Sequence, residues 1–310
     1  MPPNENPKNL ENRGQELCIK RDFTAVISCN PHIKLQINDE MQKKLGLFRI
    51  EKSQKKTGVN DEDWEQYFAF TVDHKPEMVV IQDINNIHNE VQKNIPDEVL
   101  EKIDTYISAL SLALDFGFVV EDLYVSGYQL LDKEGRPEIH GSVRRVRVRL
   151  QLPFDIKERH KKKFDYYSDL LSTLDENYRG NILRAIRWWG RGSKETDKID
   201  KFINFYIAFE LIGKKIAEEF AEKTAKSDKE KKEMKEQWIN TFCNVCKLDP
   251  KQFEYNGFRV NQIRAALVHA KHKELTKEQA EELTKEYADE FGKKVLKAIK
   301  AAIAELSQIE

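Results

Sequence analysis

A chain of 310 residues is longer than one typical domain and reads as two. Its 40% hydrophobic content supports packed cores, while 52 basic against 53 acidic residues leave a net charge of -1; bulk charge therefore argues neither for nor against nucleic acid, and confines any such surface to a local patch. No window approaches the ~18 to 20 apolar residues of a membrane span.

The first residues, Met1 to Pro7, are Pro- and Asn-rich and lack the basic start and apolar stretch of a secretory signal. Residues 1–20 read as a disordered tail, and the expected compartment is cytoplasmic. With four cysteines the chain is no disulfide scaffold.

From about residue 21 to 155 the pattern is mixed. Thr24 to Ser28, Ile33 to Ile37, Phe68 to Val72 and Val79 to Ile81 are short β-rich runs between polar breaks. Pro96-Asp97 starts a helix whose apolar positions, Ile103, Ile107, Leu110, Leu112, Leu114 and Phe116, run through to Gly117. Two longer strands follow, Val119 to Leu131 and Ile139 to Leu152, with Asp132 to Gly135 supplying the turn of a hairpin. One main helix against an antiparallel sheet makes an α+β domain; its role is read as recognition or regulation.

The second hairpin strand carries the clearest local charge pattern. A two-residue period sends Val146, Val148, Leu150 and Leu152 to one face and Arg145, Arg147 and Arg149 to the other. Three guanidinium groups at roughly 6.5 to 7 Å spacing could follow an RNA backbone. The alternative is a solvated face paired to acids such as Glu121 and Asp122. Lys157 to Lys163, with His160 among them, extends the patch and reads equally as a linker or a helix start.

Beyond about Asp165 the chain reads as helical to its end, and residues 165–310 form the second domain. Residues 166–190 and 197–224 are two long segments. Lys214 to Glu236 mixes eight Lys with seven acidic residues and reads as a solvated face. Trp188 and Trp189 read as core anchors, with base stacking as the alternative. Cys243-Asn-Val-Cys246 has the spacing of a zinc knuckle or redox pair, but no second pair lies nearby, and two small apolar residues facing a core is the preferred reading. No metal ligand set and no cofactor motif is identified. Asp249-Pro250 marks a helix start, Gly257 breaks the pattern, and Thr276 with Gln279 forms a capping box opening a last helix.

Between Gly257 and that box lies Asn261-Gln-Ile-Arg-Ala-Ala-Leu-Val-His-Ala270. Arg264 is a permanent cation whose planar donors match a phosphate. His269 exchanges a proton near neutrality. On an ideal helix the two lie about 140° apart, so they converge only if the Arg stem wraps around, the helix ends near His269, or a second chain completes the site. His272, three positions on, shares the His269 face. The purely structural alternative packs the helix through Ile263, Leu267 and Val268, pairs Arg264 with Glu210 and uses His269 as a helix-end cap.

Together with Asn181 to Gly190, Asp197 to Asp200 and Lys201 to Gly213, this motif resembles the HEPN family of helical bundles, particularly its Apea-like branch. The resemblance covers roughly Asp165 to Glu310. It implies a metal-independent endoribonuclease acting as a homodimer with both motifs in one cleft, with Arg264 and His269 as the catalytic pair and Glu210 facing them from an earlier helix. It also implies, by analogy with two-part nucleases of defence or toxin systems, a regulatory protein or nucleotide as a further partner. The departure is Ala265, where active members often carry Asn, Asp or His. Alanine offers no hydrogen bond there, so a non-catalytic module binding RNA, a nucleotide or a protein stays open beside the enzyme.

Overall fold

A computed structural model describes residues 15–29, 44–50, 67–81, 87–131, 137–142, 158–269 and 274–307. It is an α+β arrangement: an antiparallel sheet in the N-terminal part and helices from residue 158 onward.

The strands are β1 (Gln15–Cys29), β2 (Leu47–Ile50), β3 (Tyr67–Asp73), β4 (Glu77–Ile81), β5 (Phe118–Leu131) and β6 (Pro137–Ser142). They pair in the order β2-β3-β1-β5-β6, with β4 joined to β1. The long β1 serves two partners on one edge: Asp22 to Ser28 face β3, and Gln15 to Ile19 face β4. Register shifts between Asp22 and Phe23 and between Val26 and Ile27 mark irregularities in its ladder with β5; such bulges bend a strand and increase its twist.

β1 begins inside the stretch expected to be a tail. Leu17, Cys18 and Ile19 lie between Glu16 and Lys20 there, and the strand carries Arg21, which is 1% exposed. Its Nε donates to Glu77, Nη1 to the carbonyls of Val91 and Lys93, and Nη2 to that of Asn94. A buried charge is tolerated when its donors are all engaged in this way.

Helix α1 (Ile87–Glu90) is one turn. Helix α2 (Asp97–Leu114) follows Pro96 and ends where Asp115 takes a left-handed φ of 59°, so the expected extension to Phe116 does not form. One face of α2 places Val99, Ile103, Ile107, Leu110 and Leu114 against Phe23, Ile27, Phe68 and Val125 of the sheet. Ala109 and Leu112 belong instead to the core of the helical part.

The helical part comprises α3 (Glu158–Thr173), α4 (Glu176–Lys194), α5 (Lys198–Thr224), α6 (Asp228–Glu236), α7 (Trp238–Val245), α8 (Val260–His269) and α9 (Lys277–Leu306). The expected single segment 166–190 is two helices, because Asp175 accepts from the Asn177 backbone N–H and caps a new start. Asp197 caps α5 and Ser227 caps α6 in the same manner. Asp249-Pro250 opens only a four-residue 3-10 turn (Pro250–Phe253), followed by the two-residue strands Glu254–Tyr255 and Phe258–Arg259. The Thr276/Gln279 capping box forms as expected.

Phe209 of α5 is fully buried; it stacks on Phe253 at 4.2 Å and meets Phe291 of α9 edge-on at 6.2 Å. A buried aromatic of this kind contributes roughly 1.5 to 3 kcal/mol relative to exposure. Trp189 is an anchor, its Nε1–H donating to the Gly292 carbonyl at 2.8 Å. Trp188 is half-buried and carries the Arg191 guanidinium over its ring at 4.8 Å.

The sheet and the helices meet at Gly117 and Gly190. A Cβ on Gly117 would lie 2.5 Å from the Gly190 Cα, so neither position tolerates a side chain without movement. Nearby, Lys194 of α4 pairs with Glu121 of β5 and bonds the Ser28 hydroxyl at 2.8 Å. No helix among the described residues is long and apolar enough to cross a membrane.

Candidate functional site

Helix α8 presents Val260, Ile263 and Ala266 to the core. This is a narrower face than Ile263, Leu267 and Val268: Leu267 is half-buried and Val268 is 50% exposed. Leu267 still packs against the core, while Val268 and His269 face outward.

Arg264 and His269 come together. Nη1 of Arg264 lies 3.2 Å from Nε2 of His269. Both positions lie on α8, and the long Arg stem is what lets the guanidinium run along the helix to the imidazole. His269 is exposed and Arg264 half-buried, so both groups are open to solvent. A guanidinium only donates, so a hydrogen bond between the two requires Nε2 as the acceptor. His272 lies outside the described residues, as do Arg145, Arg147 and Arg149 with the strand beyond Ser142 and the run Ile33 to Ile37.

Glu210 stands on α5 and does not pair with Arg264. Its Oε1 accepts from the Lys214 ammonium at 2.8 Å and from the Tyr206 hydroxyl at 3.4 Å, one turn of helix to either side. Among the described residues no hydrogen bond or ion pair links Glu210 directly to Arg264 or His269. Between them is Tyr206, 4% exposed, with the Arg264 guanidinium 5.8 Å from its ring centroid. Burial, then the Glu210 charge, push the Tyr206 hydroxyl above its ordinary pKa, and Arg264 opposes them. Tyr206 therefore stays a neutral donor. Sequence reasoning missed it; the available signal was its four-residue spacing from Glu210, which puts both on one helical face.

The other sequence candidates fall elsewhere. Cys243 and Cys246 are buried in the apolar core, and burial pushes each thiol up to about 12. Among the described residues no group of three or more His, Cys, Asp or Glu is placed to hold a metal ion. Lys214 to Glu236 is the end of α5 followed by α6, which buries no residue; Glu222 holds both Lys231 and Lys235. His160, from the basic run, is buried in the first turn of α3.

The arrangement offers a half-buried cation with a planar donor fork, an exposed imidazole touching it, and a buried aromatic ring beneath the cation. Such a set can bind a phosphate and exchange a proton beside it. Comparison of the chain with family models, curated proteins and solved structures yields no match.

Proposed function

We propose that this chain is a metal-independent endoribonuclease of HEPN type, in which the helical part is the nuclease and the sheet part recognises a substrate or trigger. The observation that carries the reading is the 3.2 Å approach of Arg264 and His269 on an exposed helix end. The reaction is attack of a ribose 2′-hydroxyl on the adjacent phosphorus, with departure of the 5′-oxygen. It leaves a cyclic phosphate and a 5′-hydroxyl. One proton leaves the 2′-hydroxyl and one arrives at the 5′-oxygen; His269 serves one of these transfers, and water or a second protomer's imidazole serves the other. A well-placed acid or base contributes about 10² to 10⁴-fold. Arg264 holds the phosphate and stabilises its developing charge. An arriving phosphate draws the Arg264 fork and frees Nε2 of His269 for the proton. The partners under this reading are RNA, a second copy of the chain and a regulatory protein or nucleotide, in the cytoplasm, with a defence or toxin role by analogy.

The test is single-stranded RNA incubated with the protein in excess chelator. Cleavage is expected, with cyclic-phosphate ends, and its loss in both Arg264→Ala and His269→Ala. Cleavage that survives either substitution, or that needs added metal, overturns the reading. Ala265, which adds no hydrogen-bonding group beside Arg264, favours a second reading: a module that binds RNA without cutting it. RNA retained intact on the wild-type protein is the outcome that selects it.

A further inference from the structure

We propose that Tyr206 is a positioning residue of this site, keeping the Arg264 guanidinium off the Glu210 carboxylate so that its donor fork stays available to a phosphate. The catalytic consequence rests on the nuclease reading above; the positioning itself does not.

An Arg near a carboxylate commonly closes a bidentate pair, which occupies two parallel N–H groups and neutralises the charge. A guanidinium held that way has little left for a phosphate. Arg264 and Glu210 flank the same side chain, the guanidinium 5.8 Å from the Tyr206 ring centroid and the carboxylate 3.4 Å from its hydroxyl. Yet Arg264 bonds His269 and rests over the Tyr206 ring, while Glu210 bonds Lys214 and the Tyr206 hydroxyl.

Each part of Tyr206 has a separate task. The ring is buried in the core of the helical part, so its position is set by packing. Its face is within the ~6 Å range over which a cation is attracted. The hydroxyl and the Lys214 ammonium both engage Oε1 of Glu210, at positions four residues before and after it on α5. The carboxylate is thereby held along its own helix and away from α8.

The substitutions separate this role from mere packing. Tyr206→Leu removes ring and hydroxyl together, and Arg264 then closes on Glu210. Tyr206→Phe keeps the ring and so keeps Arg264 in place. In Tyr206→Leu combined with Glu210→Gln the capturing charge is gone, and the fork is free again. Packing alone predicts no such rescue, because Gln restores none of the lost ring volume.

The experiment uses the full ¹⁵N-labelled chain. It follows the Arg264 Nε–H resonance and its solvent exchange, and titrates an all-deoxy oligonucleotide, which lacks the attacking 2′-hydroxyl. Cleavage of RNA of the same sequence is measured in parallel. Thermal melts confirm folding of each variant, and Tyr206→Met replaces the Leu variant should that one unfold. Tyr206→Leu is expected to slow exchange at Arg264 and to weaken oligonucleotide binding about tenfold, the scale of one charge-assisted hydrogen bond. Tyr206→Phe stays within about threefold, and Tyr206→Leu/Glu210→Gln returns both readouts toward wild type. An unchanged Arg264 resonance in Tyr206→Leu, or a double variant as impaired as the single one, overturns the proposal. A wild-type protein that leaves RNA intact removes the nuclease reading alone, since the Arg264 resonance still decides what Tyr206 does.

Discussion

Nη1 of Arg264 reaches Nε2 of His269 across five residues of α8, a separation at which side chains on an ideal helix diverge by about 140°. Both residues lie on α8, and the long Arg stem supplies the reach. The pair thus depends on the flexible stem and the planar fork of arginine as well as on its charge.

Lysine at 264 is therefore expected to serve where a point charge suffices and to fail where the fork is needed. Arg264→Lys keeps the charge and loses the fork. Its RNA affinity should fall by less than about tenfold and keep the wild-type salt slope, whereas Arg264→Ala should lower that slope by about 1. Cleavage should fall by about tenfold or more in both. Binding isotherms across a salt series, with matched cleavage rates, check this; a lysine variant as active as wild type contradicts it.

The buried thiols give a pH dependence with a definite sign. Burial pushes Cys243, Cys246 and Cys29 up to about 12 from an ordinary value near 9. A folded-state value above the unfolded one contributes stability that is fully present below the unfolded value and is lost as pH rises toward the folded one. Native protein should thus melt at progressively lower temperature above about pH 9. At about pH 8, where a free thiol is partly ionised, the half-buried Cys18 should react with a thiol reagent first. Mass-mapped alkylation of the folded chain measures this, and rapid labelling of Cys243 would contradict it.

The seam between sheet and helices is expected to be intolerant of one methyl group. In Gly117→Ala the new Cβ would meet the Gly190 Cα at 2.5 Å and the Ser193 Cβ at 2.8 Å. Overpacking of this kind typically costs about 1 to 3 kcal/mol, and here it also pushes α4 away from β5, straining the Lys194 contacts with Glu121 and Ser28. Urea denaturation reads the loss directly. An unchanged midpoint would mean that α4 shifts freely against the sheet.

The legible features were those encoded by local pattern. The strands at Phe68 to Val72 and Val79 to Ile81, the last helix behind Thr276 and the core placement of Trp189 and Cys243 all follow from alternation, a capping box or an apolar stripe within a short window. Three features were hidden for distinct reasons. In β1, Arg21 is buried because Glu77 pairs with it and carbonyls some 70 residues away in the chain accept from it, which no local window can register. The break at Asp175 was a cap signal overlooked inside a helical stretch. The division into separate halves missed that α2 lends Leu110 to one core and Leu112 to the other, two residues on opposite sides of one helix.

For the candidate site the division is similar. Residue types and spacing alone made Arg264, His269 and Glu210 worth attention, since a cation, a proton carrier and an acid are chemical identities that folding does not change. Whether the cation met the acid or the imidazole was a matter of tertiary structure. The buried ring of Tyr206, brought in by the packing of α5 against the core, lies beneath Arg264, and its hydroxyl donates to Glu210. Contacts between side chains on different helices depend on distances of a few ångströms set by packing as a whole, and a linear pattern carries no record of them.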